Sequence, residues 1–272
     1  MQGQAVRTVL SASMLRCTAA SSGAAAACTS AFLTPWLAQA TRSVQAPADP
    51  NRPVMLLTPN NVWCIGRNYA EHVRELGNEP QAAGEAPMIF LKAGSSVVPP
   101  GPIHLPAWSS DVHHEVELAV ELGHDLQPAR AAVALDLTAR DVQSKLKSKQ
   151  WPWTLAKSFA GATPLGPAFN LNGVDPAKLW LTLDVNGKRR QTGRTGDMIF
   201  SLDTQLTYVR KHFPVVPGDV LLTGTPHGVS RMAAGDEILA RVLGPEGEVL
   251  SEAVWHVRGA PGINHHNSNH HK

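Results

Sequence analysis

The chain has 272 residues, of which 43% are hydrophobic and 17% are charged, and its formal net charge is +2. This composition is typical of a globular protein with a hydrophobic core, and the length fits one large domain or two small ones. A net charge this close to zero argues against a nucleic-acid partner. No apolar stretch reaches the roughly 18 residues that span a bilayer, which argues against a membrane role.

The first 48 residues have the composition of an organelle transit peptide. They contain no aspartate or glutamate, and they carry Arg7, Arg16 and Arg42 among many serines, alanines and threonines. Acid-poor segments of this kind direct proteins to organelles, and the arginines favour the mitochondrion over the chloroplast. A disordered N-terminus without a targeting role is the alternative. The next segment, APADPNRP, predicts a linker.

A globular domain is predicted from residue 54 to residue 258. It opens with two short apolar runs, VMLL and VWCIG, which predict strands. Cys64 lies in the second run and is expected to be a buried small side chain rather than a nucleophile. The segment RNYAEHVREL predicts a short helix that is entered through Asn68.

That helix carries a candidate acid–base pair. His72 and Glu75 are three positions apart, so a helix places them on one face. Glu75 can then fix the imidazole tautomer and favour its protonated form, while the other ring nitrogen takes a proton from water. An ordinary surface His–Glu pair is the alternative.

The segment DVHHEVELAV places two glutamates on one face of a predicted strand. Glu115 and Glu117 are two positions apart, which puts their carboxylates on the same side at a Cα spacing of about 7 Å, with Val116 and Leu118 on the other side. Two such charges repel unless a cation lies between them. A hard divalent ion such as Mg²⁺ or Mn²⁺ prefers these oxygen ligands. A solvated strand face with two acids is the alternative.

Four further candidate residues lie closer to the C-terminus. Asp141 ends LDLTARD, and LTARDVQSKLKSK predicts a helix with a basic face. Lys157 lies among apolar residues in TLAKSF, where a lysine usually has a partner, although a lysine that reaches the surface is the alternative. Gly224 and Thr225 form a turn in LLTGTPHGV whose N–H groups can hold a carboxylate, unless it simply joins two strands.

The remaining apolar runs predict short strands. These runs are MIFLK, LWLTLDVNG, DVLLTG, EILARVLG and AVWHV, and the Asn186–Gly187 pair predicts a hairpin turn after the second of them. Residues 259–272 form a histidine-rich tail that ends in NHHNSNHHK. An unstructured tail is expected there, with metal binding as the alternative.

Seven of these motifs together resemble the fumarylacetoacetate hydrolase superfamily. They are GRNYAEHVRELGNE, MIFLKAGSSVV, HHEVELAV, LDLTARDVQ, WPWTLAKSF, MIFSL and LLTGTPHGV, and they lie in family-like order between about Val62 and Val257. The most similar branch is that of the mitochondrial acylpyruvases and oxaloacetate decarboxylases. The resemblance implies an α+β fold that is mainly β, a mixed β-sandwich roll with short helices, in a homodimer.

The same resemblance implies a metal site and a set of active-site residues. The matched ligands of a Mg²⁺ or Mn²⁺ ion are Glu115, Glu117 and Asp141. The matched catalytic residues are His72, Glu75 and Lys157, and the matched contacts for a small 2-oxo acid are Arg67, Gly224 and Thr225. His113 and His114 are expected to support the site rather than bind the metal, because a Mg²⁺-like site prefers oxygen.

The implied reaction is the hydrolysis of acylpyruvates at a C–C bond, together with decarboxylation of oxaloacetate. Both reactions pass through the enolate of pyruvate, which a divalent ion can stabilise. An isomerase or tautomerase of 2-oxo acids is the first alternative. A catalytically impaired protein is the second, because a stretch that family members carry between EVELAV and LDLTARD is missing. Its loss could shorten the elements that deliver Asp141.

Overall fold

The computed structural model describes residues 55–79 and 85–260, so the predicted leader and almost all of the histidine-rich tail lie outside the described residues. The described part is mainly β with a few short helices, and the fold class predicted from the sequence is confirmed. No helix among these residues is long and apolar enough to cross a membrane.

The strands are short. In chain order they are β1 (Asn61–Gly66), β2 (Met88–Ala93), β3 (Val97–Val98), β4 (Gly101–His104), β5 (Val112–His114), β6 (Val116–Leu122), β7 (Pro128–Leu135), β8 (Thr138–Ala139), β9 (Thr163–Pro164), β10 (Phe169–Asn170), β11 (Trp180–Val185), β12 (Lys188–Arg194), β13 (Val220–Leu222), β14 (Ser230–Arg231), β15 (Glu237–Leu243) and β16 (Val249–Arg258).

The described residues also form four short α-helices, and three single turns of 3-10 helix accompany them. The α-helices are α1 (Ala70–Glu75), α2 (Arg140–Ser148), α3 (Thr154–Lys157) and α4 (Leu202–His212). The 3-10 turns are Gly94–Ser96, Pro176–Lys178 and Thr195–Asp197.

Two large sheets form the frame of the domain. One has six strands in the order β10-β7-β6-β13-β1-β2, and the other has five in the order β12-β11-β15-β16-β4. Two small sheets, β14-β5-β8 and β3-β9, accompany them. In the six-stranded sheet β6 is antiparallel to both of its neighbours, whereas β13 and β1 are parallel.

The main hydrophobic core lies between the inner faces of these two sheets. Val116 and Leu118 of β6 contribute to it, together with Leu183 of β11, Ala240 of β15 and Trp255 of β16. Each is less than 2% exposed, and burying a Leu- or Val-sized side chain stabilises a fold by about 1.5–3 kcal/mol. Because side chains alternate along a strand, Glu117 faces the opposite side, as the sequence predicts.

The connection between β6 and β7 shows how the chain accommodates the missing stretch between EVELAV and LDLTARD. A tight turn at residues 123–127 joins the two strands directly, and they pair from Leu122–Pro128 to Val116–Leu135. This hairpin brings the residue after β7 beside the residue before β6, because the N–H of Asp136 donates to the carbonyl of Glu115 at 2.8 Å. The shorter connection therefore leaves the acid cluster assembled.

Several local predictions are confirmed, and one is wrong. Helix α2 forms where it was expected, Cys64 is fully buried, and Asn186–Gly187 turns the β11–β12 hairpin with φ of 52° and 72°. Asn68, however, does not cap α1. Its side chain donates to the carbonyl of Thr223 at 2.7 Å and accepts from the N–H of Phe200 at 2.7 Å, so it ties the chain before α1 to two distant loops.

Candidate metal centre and active site

Three buried carboxylates converge at one end of the β6–β7 hairpin. Glu115, Glu117 and Asp136 each offer an oxygen within 4.8 Å of the others. Their residues are 4%, 2% and 1% exposed, so water does not solvate these charges. Buried carboxylates are costly unless cations or hydrogen-bond donors offset their charge, and this arrangement therefore marks a candidate metal centre.

The third acid of the cluster is not the one predicted from the sequence. Asp141 lies on the first turn of α2, where its carboxylate accepts hydrogen bonds from the hydroxyl of Ser109 at 2.6 Å and from the N–H of Val142 at 2.8 Å. It therefore stabilises the start of a helix, a common position for an acid. The structure therefore does not bring Asp141 into the acid cluster, and Asp136, in the same motif, lies there instead.

Basic side chains surround the cluster. Lys157 Nζ lies 2.9 Å from Oε2 of Glu115 and 2.5 Å from Oδ2 of Asp136. Lys92 donates to the other oxygen of Asp136 at 2.6 Å, and Arg140 forms an ion pair with the other oxygen of Glu115. The partner expected for Lys157 is therefore present, and it consists of two candidate metal ligands.

Glu117 differs from the other two acids because no basic side chain forms an ion pair with it among the described residues. Its Oε2 accepts a hydrogen bond from the N–H of Gly224 at 2.7 Å. Burial raises its pKa well above the usual range, and repulsion by Asp136 and Glu115 adds to the effect. A divalent cation beside Glu117 would offset this repulsion, so the residues present fit a metal ion.

Gly224 therefore has a different contact from the one expected. Its N–H binds Glu117 rather than pointing freely at a substrate carboxylate. Its φ of 97° lies in the left-handed region, and a Cβ there would meet Cβ of Asn68 at 2.6 Å. Only glycine permits this close approach. Thr225, the next residue, is 3% exposed and lines the cavity above the cluster.

The expected contact between His72 and Glu75 is present. Nδ1 of His72 lies 3.1 Å from Oε2 of Glu75, whose Oε1 accepts from the N–H of Gly228 at 3.0 Å. Since a carboxylate only accepts, Nδ1 carries the proton and Nε2 keeps its lone pair. Burial lowers the pKa of His72; Glu75 favours the protonated ring, as expected, and Glu115 does the same, but burial outweighs both.

One cavity joins these groups. The acid cluster, His72 and Lys157 line it, and so does Arg67. Arg67 adopts φ of 60°, a left-handed conformation that is uncommon for a residue other than glycine and that concentrates at functional sites. Arg140 and Gln143 of α2 also line the cavity, with Arg140 Nη1 donating to Gln143 at 3.0 Å.

The sequence did not single out Asp136, Lys92, Arg140 or Gln143. Asp136 directly follows the apolar run ARAAVAL, so an acid at the end of a buried strand was the available signal. Lys92 is fully buried within MIFLK, which resembled an ordinary apolar strand. Arg140 and Gln143 had the signal of helical spacing, because residues three apart share a face.

Comparisons with known proteins place this arrangement in context. A family model described as fumarylacetoacetate (FAA) hydrolase, C-terminal, matches residues 61–251. The mitochondrial oxaloacetate tautomerase of Homo sapiens is 43% identical over an alignment of 196 positions, and the match covers 68% of this chain and 87% of the relative. The oxaloacetate tautomerase of Escherichia coli (strain K12) is 42% identical over 193 aligned positions, and the match covers 66% of this chain and 86% of the relative.

A solved structure with bound ligands is also similar. It is a crystal structure of fumarylpyruvate hydrolase from Pseudomonas aeruginosa in complex with Mn²⁺ and pyruvate. The match has a TM-score of 0.69 and 28% sequence identity, and it covers 80% of this chain and 98% of that one. The likeness thus extends over almost the whole of a protein that holds a divalent ion and a 2-oxo acid.

Proposed function

We propose that this chain, which belongs to the fumarylacetoacetate hydrolase family, is a metal-dependent enzyme that acts on small 2-oxo acids. Its proposed activity is the keto–enol tautomerisation of oxaloacetate. The observation that carries this proposal is the buried cluster of Glu115, Glu117 and Asp136, which shares one cavity with Lys157 and His72. The relatives from Homo sapiens and Escherichia coli, named as oxaloacetate tautomerases, support the choice of substrate.

The three carboxylates would hold Mg²⁺ or Mn²⁺, both of which prefer oxygen ligands. When bound, such an ion polarises the 2-oxo group and stabilises the negative charge of the enolate. The Mn²⁺ and pyruvate named for the Pseudomonas aeruginosa protein support this choice of metal and ligand class.

Lys157 and Arg140 would hold the substrate's oxygens. Burial opposes the charge on Lys157, but Asp136 and Glu115 outweigh it and raise its pKa, so the side chain is an ammonium that donates hydrogen bonds. Nε of Arg140 is buried and has no hydrogen-bond partner among the described residues, which leaves one N–H of the guanidinium available to a carboxylate. Arg67 and Thr225 line the same cavity and would complete the binding of the acid.

His72 would move the proton. Its neutral Nε2 can take a proton from C3 of oxaloacetate and return it to the enolate oxygen or to carbon, which interconverts the keto and enol forms. Glu75 holds the ring in the tautomer that leaves Nε2 free. His72 and Lys157 are both at most 4% exposed, so the proton transfer takes place away from bulk water.

Hydrolysis of acylpyruvates is a second candidate, because His72 and Glu75 can also activate water. Nε2 of His72 would take a proton from water, and the hydroxide formed would attack the distal carbonyl and break the C–C bond. The similarity to a fumarylpyruvate hydrolase favours this reaction. Decarboxylation of oxaloacetate passes through the same enolate but needs no activated water. It is therefore compatible with either tautomerisation or hydrolysis as the main activity.

The deciding experiment compares three substrates on the purified protein with Mg²⁺ or Mn²⁺. Enol-oxaloacetate, acetylpyruvate and keto-oxaloacetate report tautomerisation, hydrolysis and decarboxylation respectively. We expect tautomerisation to have the largest kcat/KM and to stop when EDTA removes the metal. Full activity after dialysis against EDTA, or no turnover of any of the three with metal present, would refute the proposal.

We further propose a mitochondrial location and a homodimer. The acid-free leader supports the location, as does the mitochondrial name of the Homo sapiens relative. A catalytically impaired protein is less well supported than an enzyme, because the β6–β7 hairpin keeps Asp136 beside Glu115 despite the missing stretch.

A further inference from the structure

One buried amide connects the two halves of the candidate site. Gln191 lies on β12, is fully buried, and makes four hydrogen bonds through its side chain. Its Oε1 accepts from the N–H of Val116 at 3.0 Å and contacts Nδ1 of His114 at 2.9 Å. Its Nε2 donates to Oγ1 of Thr225 at 2.8 Å and to the carbonyl of Pro226 at 2.8 Å.

The backbone partners fix which way this amide points. The N–H of Val116 can only donate and the carbonyl of Pro226 can only accept, so the oxygen faces β6 and the nitrogen faces the turn that follows β13. All the donor and acceptor positions of a primary amide are then used. A fully satisfied buried amide is rigid, because any rotation leaves a buried polar group without a partner.

This orientation has a consequence for Thr225. Its hydroxyl oxygen already accepts from Gln191, so the hydroxyl proton must be donated elsewhere. The carbonyl of Pro226 lies 3.5 Å from that oxygen, which is long for a hydroxyl donor. Thr225 also lines the cavity, so a ligand there can accept this proton at a shorter distance. Gln191 thus leaves the Thr225 hydroxyl as a donor that is available to the cavity.

The Gln191 side chain also contacts both neighbours of the candidate metal ligand Glu115. His114 and Val116, which contact Gln191, directly precede and follow Glu115. The other nitrogen of His114 lies 2.8 Å from the hydroxyl of Ser230, so this segment is held on two sides. The turn on the far side of Gln191 carries Gly224, which binds Glu117.

We propose that Gln191 is a positioning residue, which presents the Thr225 hydroxyl as a hydrogen-bond donor to the carboxylate of the 2-oxo acid and fixes that donor relative to Glu115. This role rests on the proposed function, because it requires an anionic ligand in the cavity. Gln191 touches neither the ligand nor the metal and acts through Thr225.

The test is a double-mutant cycle on the full chain, with oxalate as an unreactive dianion and calorimetry as the readout. Gln191→Met and Thr225→Val are prepared singly and together, and oxalate affinity is measured at saturating Mn²⁺. Each single variant should bind oxalate about 3–10-fold more weakly, the value of one hydrogen bond. The double variant should lose no more than either single variant, because both changes remove the same donor.

Two controls separate positioning from general loss of stability. Ser251→Ala removes a buried hydroxyl in the core between the sheets, and it should lower Tm without weakening oxalate binding. If Gln191→Met does not fold, Gln191→Glu replaces it. That variant keeps the size and the acceptor oxygen but loses the donor to Thr225.

The outcomes are distinct. Losses that multiply in the double variant, or undiminished oxalate affinity in the Gln191 variant, would overturn the positioning role alone. Wild-type protein that binds no oxalate and turns over no 2-oxo acid would overturn the proposed function itself.

Discussion

The backbone N–H of Asp136 donates a 2.8 Å hydrogen bond to the carbonyl oxygen of Glu115, at the closed end of the ladder between β6 and β7. This bond brings one acid from each strand to the same place, and Glu117 on β6 completes the cluster. The pairing of two adjacent strands therefore forms the candidate metal centre.

Asp136 and Asp141 should differ sharply in their effect on metal binding. Asp136→Ala removes a ligand and leaves Lys92 without its carboxylate partner, so Mn²⁺ affinity should fall by more than the roughly 10–100-fold typical of outer-sphere changes. Asp141→Ala should keep Mn²⁺ affinity and lower stability by about 0.3–1 kcal/mol, the usual contribution of an acid in the first turn of a helix. Titration calorimetry and thermal melts measure the two effects. Equal losses of affinity in both variants would show that Asp141 is a ligand after all.

Local patterns predicted two of the three acids in this cluster, and long-range strand pairing determined the third. Glu115 and Glu117 were identified because alternation along a strand is a property of neighbouring residues. Which acid of LDLTARD joins them depends on the register between β6 and β7, which alternation within one strand cannot specify.

The supporting residues were missed for the same kind of reason. Lys92 is fully buried in a run that predicts an ordinary apolar strand, and its reason for being there is Asp136 on another part of the chain. Gln191 lies on β12, whose sequence KRRQTGR resembles a solvated edge, and its burial follows from contacts with Val116 and Pro226. The contact between His72 and Glu75 was predictable because the two residues are three positions apart on one helix.

Glu117→Gln should abolish stabilisation by metal while stabilising the metal-free protein. Glutamine keeps the acceptor for the N–H of Gly224 and removes a buried charge that Asp136 and Glu115 repel. Wild-type protein should gain about 2.7 kcal/mol at Mn²⁺ concentrations of 100 times Kd, and the variant should gain none. Thermal melts with EDTA and with Mn²⁺ measure both effects. A metal-free Glu117→Gln protein that melts below metal-free wild type would mean that the carboxylate is stabilised by something other than the metal.

The pH dependence of turnover should report a neutral His72. Protonation removes the lone pair of Nε2, so activity must fall as the pH drops through the pKa of this histidine. Because burial lowers that pKa, the acid limb of log kcat/KM at saturating Mn²⁺ should lie below the ordinary value of about 6.5. Glu75→Gln removes a group that raises the pKa and should move the limb to still lower pH. An acid limb above pH 7 would indicate that the ring acts in its protonated form or that another group titrates.

His72→Ala should separate reactions that need a base from one that does not. General-base catalysis is typically worth about 10²–10⁴ in rate, so acetylpyruvate hydrolysis and oxaloacetate tautomerisation should both fall by roughly that factor. Decarboxylation of oxaloacetate should fall less, because CO₂ leaves without an added base once the enolate charge is stabilised. Glu75→Ala should follow the same order with smaller losses, since Glu75 orients His72 at 3.1 Å and does not reach the substrate.

The measurement is kcat/KM for the three reactions on both variants at one saturating Mg²⁺ concentration. Asp141→Ala is the matched control, and it should keep the kcat/KM of all three reactions. Equal losses in all three reactions would contradict the role of His72 as the base and would show that it contributes to a step common to them, such as binding of the 2-oxo acid.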